Sequence, residues 1–191
     1  DSAKQKVQFR RKSWSPTGPD LAFFPLPPST MSSLKAIASV FDLDLGRKRS
    51  AKEPPPDTEF FEAVAGAVDS MTPPPKKTGN LIIAEIEGIV NIGRITVLGQ
   101  RKGFDLVKIY PTPGKNFKLP NSYQGTSGGG IWQMYIEKDL AGKYKLSELR
   151  LIGVAFWQTK APKRKIIGHG PVSLYNKLLR KIRKNWKGLQ V

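Results

Sequence analysis

"YQGTSGGGIW", residues 123–132, sets four glycines around a single serine, directly ahead of a bulky apolar run. Glycine at this density lets a backbone turn tightly and lets another group approach it closely. Held in such a turn, Ser127 is either a nucleophile or filler in a flexible loop, since glycine-serine stretches also serve as linkers. It does not belong to a nucleotide phosphate loop, which needs a Lys-Ser/Thr ending and a following helix.

Working outward, the neighbouring stretches have β texture. "LIIAEIEGIV" (81–90), "GRITVLG" (93–99) and "FDLVKIYP" (104–111) precede the serine loop, and "IWQMYI" (131–136), "LRLIGVAFWQ" (149–158) and "KRKIIGHG" (163–170) follow it. They are short, rich in β-branched residues and separated by turns, most of them containing glycine. This predicts a small antiparallel β-barrel or sandwich over residues 79–170. In "PVSLYNKLLRKIRKNW" (171–186), Leu174, Tyr175, Leu178, Leu179, Ile182 and Trp186 mark one helical face with Lys and Arg opposite, so residues 171–191 are expected to form a basic C-terminal helix.

The N-terminal third is less regular. Leu21 to Leu26 reads as a short buried strand closed by Pro27 and Pro28. Leu34, Ile37, Ala38 and Phe41 recur at helical spacing, with Ser32 or Ser33 as cap. Residues 46–57 read as an exposed linker. "TEFFEAVAGAVDSM" (58–71) predicts an amphipathic helix, ended by Pro73, Pro74 and Pro75.

The chain has 191 residues, 39% of them hydrophobic, enough for a packed core in one large or two small domains. It has no cysteine, which excludes disulfides, thiol catalysis and cysteine-based zinc sites and points weakly to a reducing, cytoplasmic compartment. No apolar run approaches the length of a membrane span, and no secretory signal is visible. Residue 1 is Asp rather than Met, so a processed chain or part of a longer one is expected. The net charge of +17 suggests an acidic partner, nucleic acid or an anionic surface. Ten Lys or Arg and no acid lie between Lys160 and Val191, a run that reads first as a solvated helix face.

Three stretches, "DLAFFPL" (20–26), "GTSGGG" (125–130) and "LIGVAFWQ" (151–158), together resemble the chymotrypsin/trypsin-like serine peptidases, and more narrowly cysteine-free bacterial members. The resemblance covers residues 20–28 and roughly 104–186. It implies a mainly β, trypsin-like double β-barrel with a C-terminal α-helix, of which this chain holds the second barrel and a remnant of the first. Residues 1–35 would be that remnant, 36–78 a linker or insertion with short helices, 79–170 the second barrel and 171–191 the closing helix.

The resemblance implies Ser127 as nucleophile and Asp20 as the group orienting the base, 107 residues apart. The Gly125 and Ser127 N–H groups would form the oxyanion hole. Asn121, Phe156, Trp157, Gln158 and His169 would line the substrate cleft, with a peptide or protein as substrate and no cofactor or metal. Several positions depart from the family pattern. Thr126 stands for the usual Asp, so the family's activation device is not expected to operate; Gly130 stands for proline, Phe156 for serine and Gln158 for glycine, and the specificity cleft is expected to be narrowed or blocked. The base is the largest departure. In this family it precedes Asp and Ser, and no histidine precedes Asp20. The expected source is a segment upstream of Asp1. His169, the single histidine, follows Ser127 by 42 residues and could act as base, line the pocket or be a structural core residue. Two other functions stay open: an inactive trypsin-fold binding or scaffold module, and a binder of nucleic acid or anionic surfaces through the basic helix.

Overall fold

The computed structural model describes residues 19–23, 26–37, 39–74, 76–79, 81–83, 88–115, 118–160, 162 and 164–185. Phe24, Pro25, Ala38, Trp186 and the basic segment 1–18, all of which entered the sequence reading, lie outside them. The chain is mainly β: six antiparallel strands close into a barrel, preceded by two short helices and followed by a C-terminal helix.

The barrel strands are β1 (Glu59–Ala67), β4 (Gly88–Arg101), β5 (Phe104–Pro111), β6 (Gly130–Lys138), β7 (Tyr144–Gln158) and β8 (Ile166–His169). Their order around the ring is β1-β4-β5-β8-β7-β6. A separate two-stranded ribbon, β2 (Lys76–Thr78) with β3 (Leu81–Ile83), lies between β1 and β4 in the chain. The interior is built from Val64, Val107, Ile109, Ile131, Ile152 and Ile166, joined by the ring of Tyr123. These side chains alternate with outward ones along β5, where Asp105, Val107 and Ile109 are buried, as a pleated strand requires.

The structure corrects the helix expected over 58–71: those residues form β1 and a single 3₁₀ turn, Asp69–Met71. β1 pairs with β4 on one edge and β6 on the other, so the barrel begins at Glu59 rather than at residue 79. The periodicity misled because the strand is covered on both sides. Val64 is buried in the core, while its neighbour Ala63 is buried beside its register partner Trp132, whose ring meets Phe41 edge-on at 5.1 Å. Burial of both faces removes the alternation that marks a strand.

The N-terminal elements also differ from expectation. The described part of 21–26 is not strand, and Pro28 opens helix α1 (Pro28–Ile37), a position where its missing N–H costs no hydrogen bond. Ser32 and Ser33 are not caps; their hydroxyls donate to the carbonyls of Pro28 and Ser29 one turn back. Helix α2 (Leu43–Ser50) takes in the first part of the expected linker. Asp42 caps it, accepting from the amides of Asp44 (2.7 Å) and Leu45 (3.1 Å), and Arg47, Lys48 and Arg49 suit its C-terminal end.

Two buried charges pin these parts to the barrel. Arg150 on β7 donates to the carbonyls of Lys52 (3.0 Å) and Glu53 (2.9 Å), pairs with Glu148 and covers the ring of Tyr135. It thereby fixes the chain between α2 and β1. Asp105 on β5 accepts from the amides of Val172 (3.0 Å) and Ser173 (2.6 Å) and the Ser173 hydroxyl (2.5 Å). These are the first amides of the C-terminal helix, a π-helical stretch Val172–Leu178 that runs into α3 (Leu179–Asn185). A carboxylate there satisfies amides that the helix itself leaves unpaired. Leu174 and Tyr175 then pack with Leu151 on the outside of β7, together with Leu21, Phe41 and Val154. Among the described residues, no helix is long and apolar enough to cross a membrane.

Asp105→Ala removes a buried acceptor shared by three donors. The expected loss is about 3 kcal/mol of stability, read as a lower urea midpoint in equilibrium unfolding followed by tryptophan fluorescence.

Candidate functional site

The connection from β5 to β6 carries Ser127, and three sets of bonds fix its final stretch. Gln158, the last residue of β7, accepts from the Tyr123 amide through Oε1 (2.7 Å) and donates to the Ser122 hydroxyl through Nε2 (2.9 Å). The Tyr123 ring drops into the core, and burial pushes its hydroxyl up to about 12. Thr126 is buried; its amide and hydroxyl both donate to the Tyr123 carbonyl, at 3.1 and 2.7 Å. Further on, Gly128 donates to the Ala155 carbonyl, and the Ala155 amide donates to Gly129, both at 2.8 Å. On the opposite side the Asp69 amide donates to the Gln124 carbonyl at 2.8 Å.

The glycines have specific reasons. Gly125 has φ +93° and packs against the Asp69 carboxylate, which a Cβ would overlap. Gly129 lies against the Ala65 carbonyl with no room for a side chain. The loop therefore sits on β1 and β7 as a pinned turn, not as a flexible tether.

Ser127 remains exposed on this turn, and its Oγ donates to the Phe156 carbonyl at 3.1 Å. The amides of Gly125 and Ser127 make no hydrogen bond among the described residues. A shallow cavity of about 180 Å³ opens here, lined by the 123–127 backbone and by Phe156, Trp157 and Gln158. Trp157 is 60% exposed on its wall.

Two residues expected in the cleft are not in this lining. Asn121 is exposed to solvent outside it. His169, on β8, is 4% exposed and lies behind Phe156, with the two rings stacked at 4.6 Å. Burial holds its imidazole below the usual value of 6.5, while the Asp105 backbone and the charges of Asp105 and Asp20 pull it back up. It is a core residue, and the base option is set aside, since the Ser127 hydroxyl bonds to Phe156 and not to the imidazole. Asp20 is exposed. Its neighbour Leu21 packs against the cluster of Leu151, Leu174 and Tyr175. Asp20 and Ser127 share no hydrogen bond.

Asp69 and Ser122 escaped the sequence reading, because each supports the loop from a position that no local pattern marks. Gln158 was read as narrowing the cleft; its side chain bridges β7 to the loop and so occupies part of that space.

Gln158→Ala severs both bonds to the loop and is expected to cost about 1–3 kcal/mol, with faster amide exchange at Tyr123. The His169 imidazole also predicts a pH effect. Its folded value lies below its unfolded one, so the unfolded chain binds the extra proton first. Stability contributed at neutral pH falls as pH drops below about 6.5, and His169→Phe flattens this part of the profile, measured as urea midpoints from pH 8 to pH 5. The chain matches no protein-family model, and no curated protein or solved structure is significantly similar to it.

Proposed function

We propose that this chain carries the nucleophile half of a serine peptidase of the trypsin-like, two-barrel kind, hydrolysing peptide bonds through an acyl-enzyme on Ser127. The observation that carries the reading is the state of the loop: an exposed serine hydroxyl on a pinned turn, flanked by two amides without partners. Spare amides beside a hydroxyl suit the oxyanion of a tetrahedral intermediate, and one such donor is worth about 3 kcal/mol of barrier. Ser127 attacks the carbonyl, Gly125 and Ser127 N–H hold the developing charge, and Phe156 and Trp157 flank the substrate backbone. Asp20 orients the base, a histidine that these 191 residues do not supply. The closed six-strand barrel with its C-terminal helix supports assignment as the second barrel, and the seating of Leu21 against it supports assignment of the Asp20 segment as a remnant of the first.

A second reading is an inactive trypsin-fold binding module. The Gln158 bridge favours it, since it ties together the two walls between which a substrate side chain would enter.

The two readings part on covalent labelling by a fluorophosphonate, with the site mapped by peptide mass spectrometry. The full-length product of the gene is expected to label at Ser127 and to lose the label in Ser127→Ala. The 191-residue chain, without a base to take the serine proton, is expected to react about 100- to 10,000-fold more slowly and to be accelerated by added imidazole. Absence of label in the full-length product, or label that survives Ser127→Ala, ends the peptidase reading.

A further inference from the structure

The serine loop closes one end of the barrel, against Ala65 and Gly66 of β1. Away from that loop lies a second cavity, of about 320 Å³. Glu62, Gln133 and Arg150 line it side by side, as register partners on β1, β6 and β7. At about 3.3 Å per residue, Glu62 sits roughly 10 Å along β1 from Ala65. Ile95, Val97, Val107, Ile152 and Pro171 supply the apolar wall. Val97 is 71% exposed and marks the rim. A concave, largely apolar barrel mouth with a few converging polar groups has the form of a small-ligand site.

The polar groups there are unequally satisfied. Arg150 spends its charge on Glu148 and donates to the carbonyls of Lys52 and Glu53. Glu62 accepts from the Ile95 amide through one carboxylate oxygen, Oε2, at 2.6 Å; Oε1 has no partner among the described residues. Ser50, on the same wall, keeps a buried hydroxyl oxygen without a hydrogen bond. The formal charge left open to the cavity is therefore negative, in a chain whose net charge is +17. A hard divalent metal needs several more oxygen ligands than this one carboxylate supplies. An aliphatic ammonium matches both halves of the cavity. Its N–H groups suit Glu62 Oε1 and the Ser50 hydroxyl, and its hydrocarbon body suits the valine and isoleucine wall. We infer that this mouth binds a small aliphatic amine in its ammonium form. The site is separate from Ser127 and does not depend on the peptidase reading.

The test is an amide NMR titration of the 191-residue protein with three probes that share one hydrocarbon body: isopentylammonium, isopentanol and isovalerate. The ammonium is expected to shift the amides of Ile95, Val97 and Gln133 saturably and to bind about 10-fold more tightly than either other probe. Glu62→Gln keeps an oxygen for the Ile95 amide and removes the charge. It is expected to weaken the ammonium about 10-fold and to leave the alcohol unchanged. Val97→Lys places a competing cation on the exposed rim and is expected to weaken the ammonium by a similar factor, which decides the matter if Glu62→Gln does not fold. Equal ammonium affinity in wild type and the folded variant overturns the inference. So does tighter binding of the alcohol or the carboxylate, or a shift pattern confined to residues 123–127 of the serine loop.

Discussion

Every strand in a closed barrel must be paired along both edges, and that requirement decides where the rest of this protein goes. β1 bridges β4 and β6, so its residues are held in strand geometry despite an apolar pattern that also fits a helix. Closure also sets β8 between β5 and β7, which brings Leu106, His169 and Val154 into one row. The serine loop, leaving β5 and rejoining at β6, then closes against β1 and the end of β7. A loop held at this many points gives Ser127 a defined direction, which a glycine-rich segment would not have alone.

Hydrophobic burial supplies the driving force for the barrel, but two buried charges set how the flanking segments dock. Arg150 and Asp105 are each nearly excluded from water and each satisfied by several partners. A buried charge contributes little net stability, since its desolvation offsets most of what its bonds return. Removing one partner is a different matter, because the other is left unsatisfied. Arg150 and Asp105 therefore act as locators: one sets the approach to β1, the other sets the first turn of the C-terminal helix beside His169.

The candidate site shows the same division between pattern and placement. The four glycines around Ser127 and the apolar run of β7 can be read directly, because a tight turn and a buried strand impose local demands on residue type. The partners of that loop cannot be read this way. Asp69, Ser122 and Gln158 meet it from distant positions, and polar residues that bond across the fold leave no periodic trace. His169 illustrates the limit: a lone histidine in a β-rich stretch fits a base, a pocket wall or a core position equally well. Its place behind Phe156 decides among them.

The sequence by itself determined the mainly β character of residues 81–169, the basic C-terminal helix and the serine turn, since these depend on short-range periodicity and backbone freedom. Only the tertiary structure decided that residues 59–67 are strand, that Pro28 opens a helix and that the loop is pinned. It alone also set His169 behind Phe156. Those features depend on which surfaces meet after the ring has closed, and a segment buried on two faces carries no one-sided pattern from which its partners could be read.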